Sequence, residues 1–139
     1  MFNGCTSLVQ APELPATTLA ESCYRGMFQN CTSLTQAPEL PAITLADYCY
    51  NSMFAYCRSL TTAPELPATT LANWCYAYMF YNCIKLNYVK AMFTDYSSNY
   101  PLMSWLNGVS ETGTFIKNSA ATWDNTATGI PTGWTVETV

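Results

Sequence analysis

The strongest constraint on this chain is that its sequence repeats at a fixed period. Residues 5–30 read CTSLVQAPELPATTLAESCYRGMFQN, residues 31–56 read CTSLTQAPELPAITLADYCYNSMFAY, and residues 57–82 read CRSLTTAPELPATTLANWCYAYMFYN. Sixteen of the 26 positions are identical in all three copies, and a fourth copy opens at Cys83 and fades after Leu86. A period of this length means stacked units, each too small to bury an apolar face alone.

Each unit divides in two. The stretch SLxxAPELPA, as in residues 33–42, is apolar at intervals and interrupted by two prolines. Proline removes a backbone donor, so only the residues near Leu34 are expected to form a brief strand. In the second half the fixed apolar residues are Leu19, Ala20, Cys23, Tyr24, Met27, Phe28 and then Cys31, adjacent pairs in steps of four. That rhythm predicts a helix with one wide buried stripe. Thr18 followed three residues later by Glu21 has the form of a capping box and would start it. The expected fold is therefore an α/β repeat solenoid of leucine-rich-repeat-like coils, with a short strand plus a helix in every repeat.

Residues 1–86 are assigned to this solenoid, with partial copies at 1–4 and 83–86, and residues 87–139 to a C-terminal capping region. The tail is rich in Gly, Thr and Asn and carries β-like runs at Gly113–Lys117 and 134–139. Non-repeating sequence at the end of a stack serves as a small β-containing cap over the last core.

The block Met-Phe-x-x-Cys-x-Ser-Leu and the longer pattern MFxxCxSLxxAPELPATTLAxxCYxxMF resemble the 26-residue repeats of bacterial surface proteins, related to the BspA-like leucine-rich repeats. The resemblance covers residues 1–86. It implies curved solenoids on exported proteins at the cell surface or outside the cell, with adhesion or ligand binding as the usual role. The PELP prolines depart from the simplest leucine-rich consensus. The phrases GVSETGTF and GIPTGW are similar to the C-terminal ends of such proteins. Residues 1–5 superpose on residues 27–31, so the chain begins inside a repeat, as a piece cut from a longer exported protein would.

Composition excludes several classes. Charged residues are 10% of the chain and the net charge is −4, with no basic cluster, which argues against nucleic acid and anionic membrane. No apolar run approaches the roughly 20 residues that span a bilayer. There is no histidine, so the commonest general base and the usual activator of a cysteine nucleophile are missing. An enzyme is not expected, nor any cofactor.

The seven cysteines fall in two columns, Cys5, Cys31, Cys57, Cys83 and Cys23, Cys49, Cys75. Stacking would put column neighbours roughly 5 Å apart, within disulfide range by distance alone. Metal sites want closer pairs, so a buried ladder of reduced thiols is the expectation, with an occasional disulfide as the alternative. Glu13, Glu39 and Glu65 form a third column, expected to be solvated at an edge.

Function is sought where the copies differ. Six of the ten variable positions come as the pairs 21 and 22, 25 and 26, 29 and 30 with their counterparts, offset from the buried stripe. Twelve of these eighteen residues are Tyr, Trp, Asn, Ser or Gly, the vocabulary of recognition surfaces, and none is Lys. The candidate binding residues are Tyr48, Asn51, Tyr56, Trp74, Tyr78 and Tyr81. They suggest a non-catalytic adhesion or ligand-binding module whose partner is a host or bacterial surface protein or a glycan. The alternative is a structural spacer within a longer surface protein.

Overall fold

A computed structural model describes residues 1–139, apart from the side chain of Ala127. Its regular elements are β1 (Tyr88–Ala91), β2 (Gly113–Lys117), the one-turn helix α1 (Asn125–Thr128) and β3 (Trp134–Thr138). Among the described residues there is no other helix, so the expected helix in each repeat does not form. The α/β repeat solenoid, and with it the leucine-rich-repeat unit of strand plus helix, is overturned.

What replaces the helix is a run of β-turns whose backbone donors point alternately along the chain and across to the next coil. Cys23, Arg25, Met27 and Gln29 donate their N–H groups to the carbonyls three residues back. Ser22, Tyr24, Gly26, Phe28 and Asn30 donate to Asp47, Cys49, Asn51, Met53 and Ala55, each one position short of the donor's own equivalent in the next coil. The second coil repeats the pattern from Tyr48 to Asn73 through Tyr56 to Tyr81. An α-helix would send every one of these donors to the carbonyl four residues back.

The sequence carries the reason. A buried pair repeated in strict steps of four would drift about 40° per step around a 3.6-residue helix, because four residues turn through 400°. Over three steps the stripe would leave the core. A turn run that advances four residues per pair keeps every pair inward. The segment is also poor in helix formers, with Ser22, Cys23, Tyr24, Gly26 and Asn30 in the first copy. Thr18, the expected cap, instead forms a single bridge to Thr44 of the next coil.

The PELP halves are equally irregular. Only isolated bridges such as Gln10↔Gln36 occur there, because a proline cannot donate to a ladder. Among the described residues no backbone hydrogen bond joins residues 34–46 to residues 60–72. In the fourth coil the corresponding segment is Tyr88-Val89-Lys90-Ala91, free of proline, and it is the first true strand. β1 pairs in parallel with β2 in the register Tyr88↔Thr114, and β2 pairs in parallel with β3. The sheet order is β1-β2-β3.

The coil register also outlasts the sequence repeat. Trp74, Tyr78, Phe80 and Asn82 donate to Asn99, Met103, Trp105 and Asn107, the same offset as in the earlier coils, although sequence identity is lost at Leu86. Residues 83–108 are thus a fourth coil, which contains β1, and β2, α1 and β3 follow it.

The core lies between the two halves of every coil and runs the length of the stack. Phe2, Phe28, Phe54 and Phe80 stack ring on ring at 5.5, 5.6 and 5.6 Å. Tyr24, Tyr50, Tyr76 and Trp105 form a second pile at 6.1, 6.1 and 6.0 Å. Leu34, Leu60 and Leu86 are fully buried beside them, as are Met53 and Met79. At the C-terminal end Phe93, Trp105, Phe115 and Trp123 close the core with edge and stacked contacts.

Candidate functional site

The turn run fixes what the outer surface can hold. In the turn that closes from Cys23 N–H to Ala20 O, the third residue is Ser22, with φ of 58°. A positive φ at this place is the mark of a type II turn, for which Gly or Asn is the usual choice. The same conformation recurs every fourth position along a coil and once per repeat between coils. One column is Ser22, Tyr48, Trp74 and Tyr100; a second is Gly26, Ser52, Tyr78 and Ser104; a third is Gly4, Asn30, Tyr56, Asn82 and Gly108.

This separates two kinds of residue that the sequence reading pooled. Gly and Asn, and more weakly the short polar Ser, suit a left-handed backbone, so Gly26, Ser22, Asn30 and Asn82 answer a conformational demand. Tyr48, Tyr56, Trp74, Tyr78 and Tyr100 run against it. A bulky residue in the left-handed region costs roughly 1–2 kcal/mol. Five aromatic residues therefore occupy strained positions on one outer surface, where the equivalent residues of other coils are Gly, Ser or Asn.

The rings organise into two groups. Tyr48 and Trp74 are parallel to within 3° with centroids 6.1 Å apart, and Tyr100 leans on Trp74 at 5.1 Å and 40°. The Arg25 guanidinium lies 5.4 Å from the Tyr48 ring centre and extends this row into the first coil. Beside it, Tyr81 meets both Tyr56 and Tyr78 edge-on at 5.7 Å. Tyr78 and Tyr100 are exposed, whereas Tyr48, Tyr56, Trp74 and Tyr81 are half-buried.

Asn51 has another place. It is buried, its Nδ2 donates to the Trp74 carbonyl at 3.4 Å, and its Oδ1 accepts from the Ser52 hydroxyl at 3.0 Å. It lies under the face and ties the second coil to the third. A neighbouring polar column does similar work: Asp47 accepts from the backbone and side-chain nitrogens of Asn73, and Asn73 Oδ1 accepts from Asn99 N–H. Tyr100 was missed by the sequence reading because identity ends at Leu86. The period alone would have found it, since it stands one full repeat after Trp74.

The polar groups of the face are unspent. Among the described residues, neither the Trp74 indole N–H nor the hydroxyls of Tyr48, Tyr56, Tyr78, Tyr81 and Tyr100 make a hydrogen bond within the chain. The three other tryptophans all do: Trp105 donates to Thr128 O, Trp123 to Phe93 O at 3.1 Å and Trp134 to Ser110 O at 2.8 Å.

The cysteines are all free thiols. Cys31, Cys57 and Cys83 each donate their S–H to the carbonyl of Phe2, Phe28 and Phe54 at 3.0 to 3.1 Å. Burial pushes the thiols of Cys49, Cys75 and Cys83 up to about 12, so they are poor nucleophiles and poor metal ligands at neutral pH. Cys5 is half-buried and Cys23 exposed at the first coil. No cluster of three metal-ligating side chains occurs among the described residues. Glu13, Glu39 and Glu65 are exposed, and Glu65 pairs with Lys90 at 3.2 Å. No helix among the described residues is long and apolar enough to cross a membrane. In comparisons with family models, with curated proteins and with solved structures, nothing was found that matches this chain.

Proposed function

We propose that this chain is a non-catalytic binding module that works at the cell surface or outside the cell and recognises its partner through the outer face of Tyr48, Tyr56, Trp74, Tyr78, Tyr81 and Tyr100. The observation that carries the reading is the set of five large aromatic residues at left-handed backbone positions. Strain of this kind concentrates where a ligand is held. Aromatic rings on a rigid frame, with free hydroxyl and indole donors, are the means by which recognition surfaces gain contact area at low entropic cost. The surface location rests on the resemblance of the repeat to those of bacterial surface proteins.

The test is a screen of the intact chain against arrayed glycans and host and bacterial surface proteins, repeated with Trp74→Ala and Tyr78→Ala combined. Removing two central aromatic contacts is expected to abolish detectable binding, because such residues cost about 2 kcal/mol or more each when truncated. Circular dichroism should show the folded chain retained. Binding that survives the double substitution overturns the proposal.

A further inference from the structure

Resting on the reading of the aromatic face as a binding surface, we infer that its partner is the Pro-Glu-Leu-Pro ridge of a second copy of this chain, so that copies pack side by side, face to ridge. Coils two and three carry both surfaces, while the first coil has the ridge without the rings and the fourth has the ring Tyr100 without the ridge. The core separates them, with Leu40 reaching in from the ridge half and Phe54 from the turn half, both buried.

The ridge has the form of a ligand for such a face. It carries Pro12 and Pro15, Pro38 and Pro41, Pro64 and Pro67, two prolines with two residues between them in each coil. Pro12, Pro15 and Pro41 are exposed, Pro64 and Pro67 are half-buried and Pro38 is buried. Segments of this spacing dock on aromatic surfaces because proline has already restricted the backbone, so little entropy is lost on binding. Between the ridge segments run two open grooves, of about 510 Å³ along residues 37–41 and 64–67, and about 480 Å³ along residues 10–17 and 36–41. They exist because proline prevents the coils from zipping together there. The missing ladder also leaves backbone carbonyls on this side to accept, while the aromatic face holds unspent Tyr O–H and Trp N–H donors.

Spacing and charge agree with this pairing. Ridge segments and aromatic rungs belong to the same coils, so both repeat at one rise, about 4.8 Å where adjacent chains are hydrogen-bonded. A stagger of one coil sets the three ridge segments of coils one to three against the three rungs Tyr48, Trp74 and Tyr100 of coils two to four. Arg25, Arg58 and Lys85, all exposed, make no ion pair among the described residues and lie in or just after the turn runs. Glu13 and Glu39 on the ridge are likewise exposed and without a cation. Glu13 and Glu39 stand at equivalent positions of adjacent coils, and Arg58 and Lys85 at neighbouring positions of adjacent coils, one residue out of register. Glu21, beside Arg25, is the free carboxylate that opposes this pattern in the first coil. Because face and ridge are different surfaces, the contact is not self-complementary, and copies add head to tail beyond a dimer.

Sedimentation velocity of the intact chain over a wide concentration range tests this. The average mass should climb steadily with concentration instead of levelling at a dimer. Glu13→Lys with Glu39→Lys on the ridge, and Arg58→Glu with Lys85→Glu beside the face, should each weaken self-association about tenfold or more. All four sites are exposed, so folding should survive, which circular dichroism checks. An equal mixture of the two double variants should associate again, because both mixed contacts bring opposite charges together: the unaltered face on the unaltered ridge, and the altered face on the altered ridge. A monomer at every concentration, or variants that associate like the parent, or a mixture no better than its parts, overturns the inference. A chain that stays monomeric yet binds an arrayed glycan or protein through Trp74 overturns the second-copy partner and leaves the binding face standing.

Discussion

The molecule stacks aromatic rings both inside and outside, on the same coil-to-coil rise and to opposite ends. The inner pile of Phe2, Phe28, Phe54 and Phe80 is present in every copy and is completely buried from Phe28 onward. The outer row begins at Arg25 and accumulates rings only in the later coils, as Tyr48, Trp74 and Tyr100. The inner rings sit on ordinary backbone; the outer ones sit at φ between 46° and 58°. Burial explains the first set without further assumption. It does not explain the second, because glycine would meet the same backbone demand at lower conformational cost. The outer residues are therefore the ones whose role outside the fold the proposal and the variants below put to the test.

The largest effect that could break this contrast is alkaline. The inner thiols of Cys49, Cys75 and Cys83 have an ordinary value of 9.0 and are pushed to about 12 by burial. A group with a raised folded pKa is fully stabilising below its unfolded value, and that contribution is lost as pH rises to the folded one. Stability should therefore hold to about pH 9 and fall across the window to about 12, where several thiols drive unfolding together. Urea titrations at stepped pH should show the midpoint dropping through that window, with a shallower slope for Cys75→Ala. A flat profile would mean that the cysteine column is solvated and the core less closed than the ring stacks imply.

The next effect compares single rings. Phe54→Ala removes a ring stacked on both Phe28 and Phe80 and should cost about 3–5 kcal/mol, read from denaturant unfolding. Tyr78→Gly removes an exposed ring touching Tyr81 and also relieves the left-handed strain, so it should change stability by less than about 1 kcal/mol. Similar losses at both sites would show that the outer rings are structural.

These contrasts bear on what could be read in advance. The period and the buried columns were legible because stacking forces equivalent residues into columns, and identity at Leu34, Leu60 and Leu86 reveals them. The offset of the variable pairs predicts that they are wholly outward, yet Asn51, Ala55 and Ala77 among them are buried. The conformation between columns was not. Apolar pairs in steps of four suit either a helix or a run of turns, and the difference lies in where alternate N–H groups point, which no side-chain pattern records. The clue was Gly26 and its neighbours Ser22 and Asn30, spaced by four and suited to a left-handed backbone. On the surface, Tyr48, Trp74 and Tyr78 were visible as residues that refuse to repeat. Asn51 shared that property while serving as a buried brace, because variability between copies marks freedom from the core and not exposure. Past Leu86 the backbone kept its register after residue identity ceased to show it, so Tyr100 and the fourth coil were to be found only by carrying the period of 26 forward from Trp74.

The smallest effect separates two tryptophans that the same column logic places differently. Trp105 caps the inner tyrosine pile over Tyr76, fully buried, and its Nε1 donates to the carbonyl of Thr128 at the end of α1. Trp105→Phe keeps an aromatic ring and removes that donor, leaving the carbonyl buried without its partner. Such an orphaned group costs about 1–3 kcal/mol, so the melting midpoint should fall and the tail near α1 should become open to proteolysis. Trp74→Phe makes the same chemical change at a site whose indole N–H binds nothing in the chain. Stability should be unaltered there, while any partner that takes this donor should bind less tightly. Equal midpoints for the two variants would erase the distinction between inner and outer aromatic residues. A midpoint lowered by Trp105→Phe alone would leave the Trp74 indole as a group kept for something other than the fold.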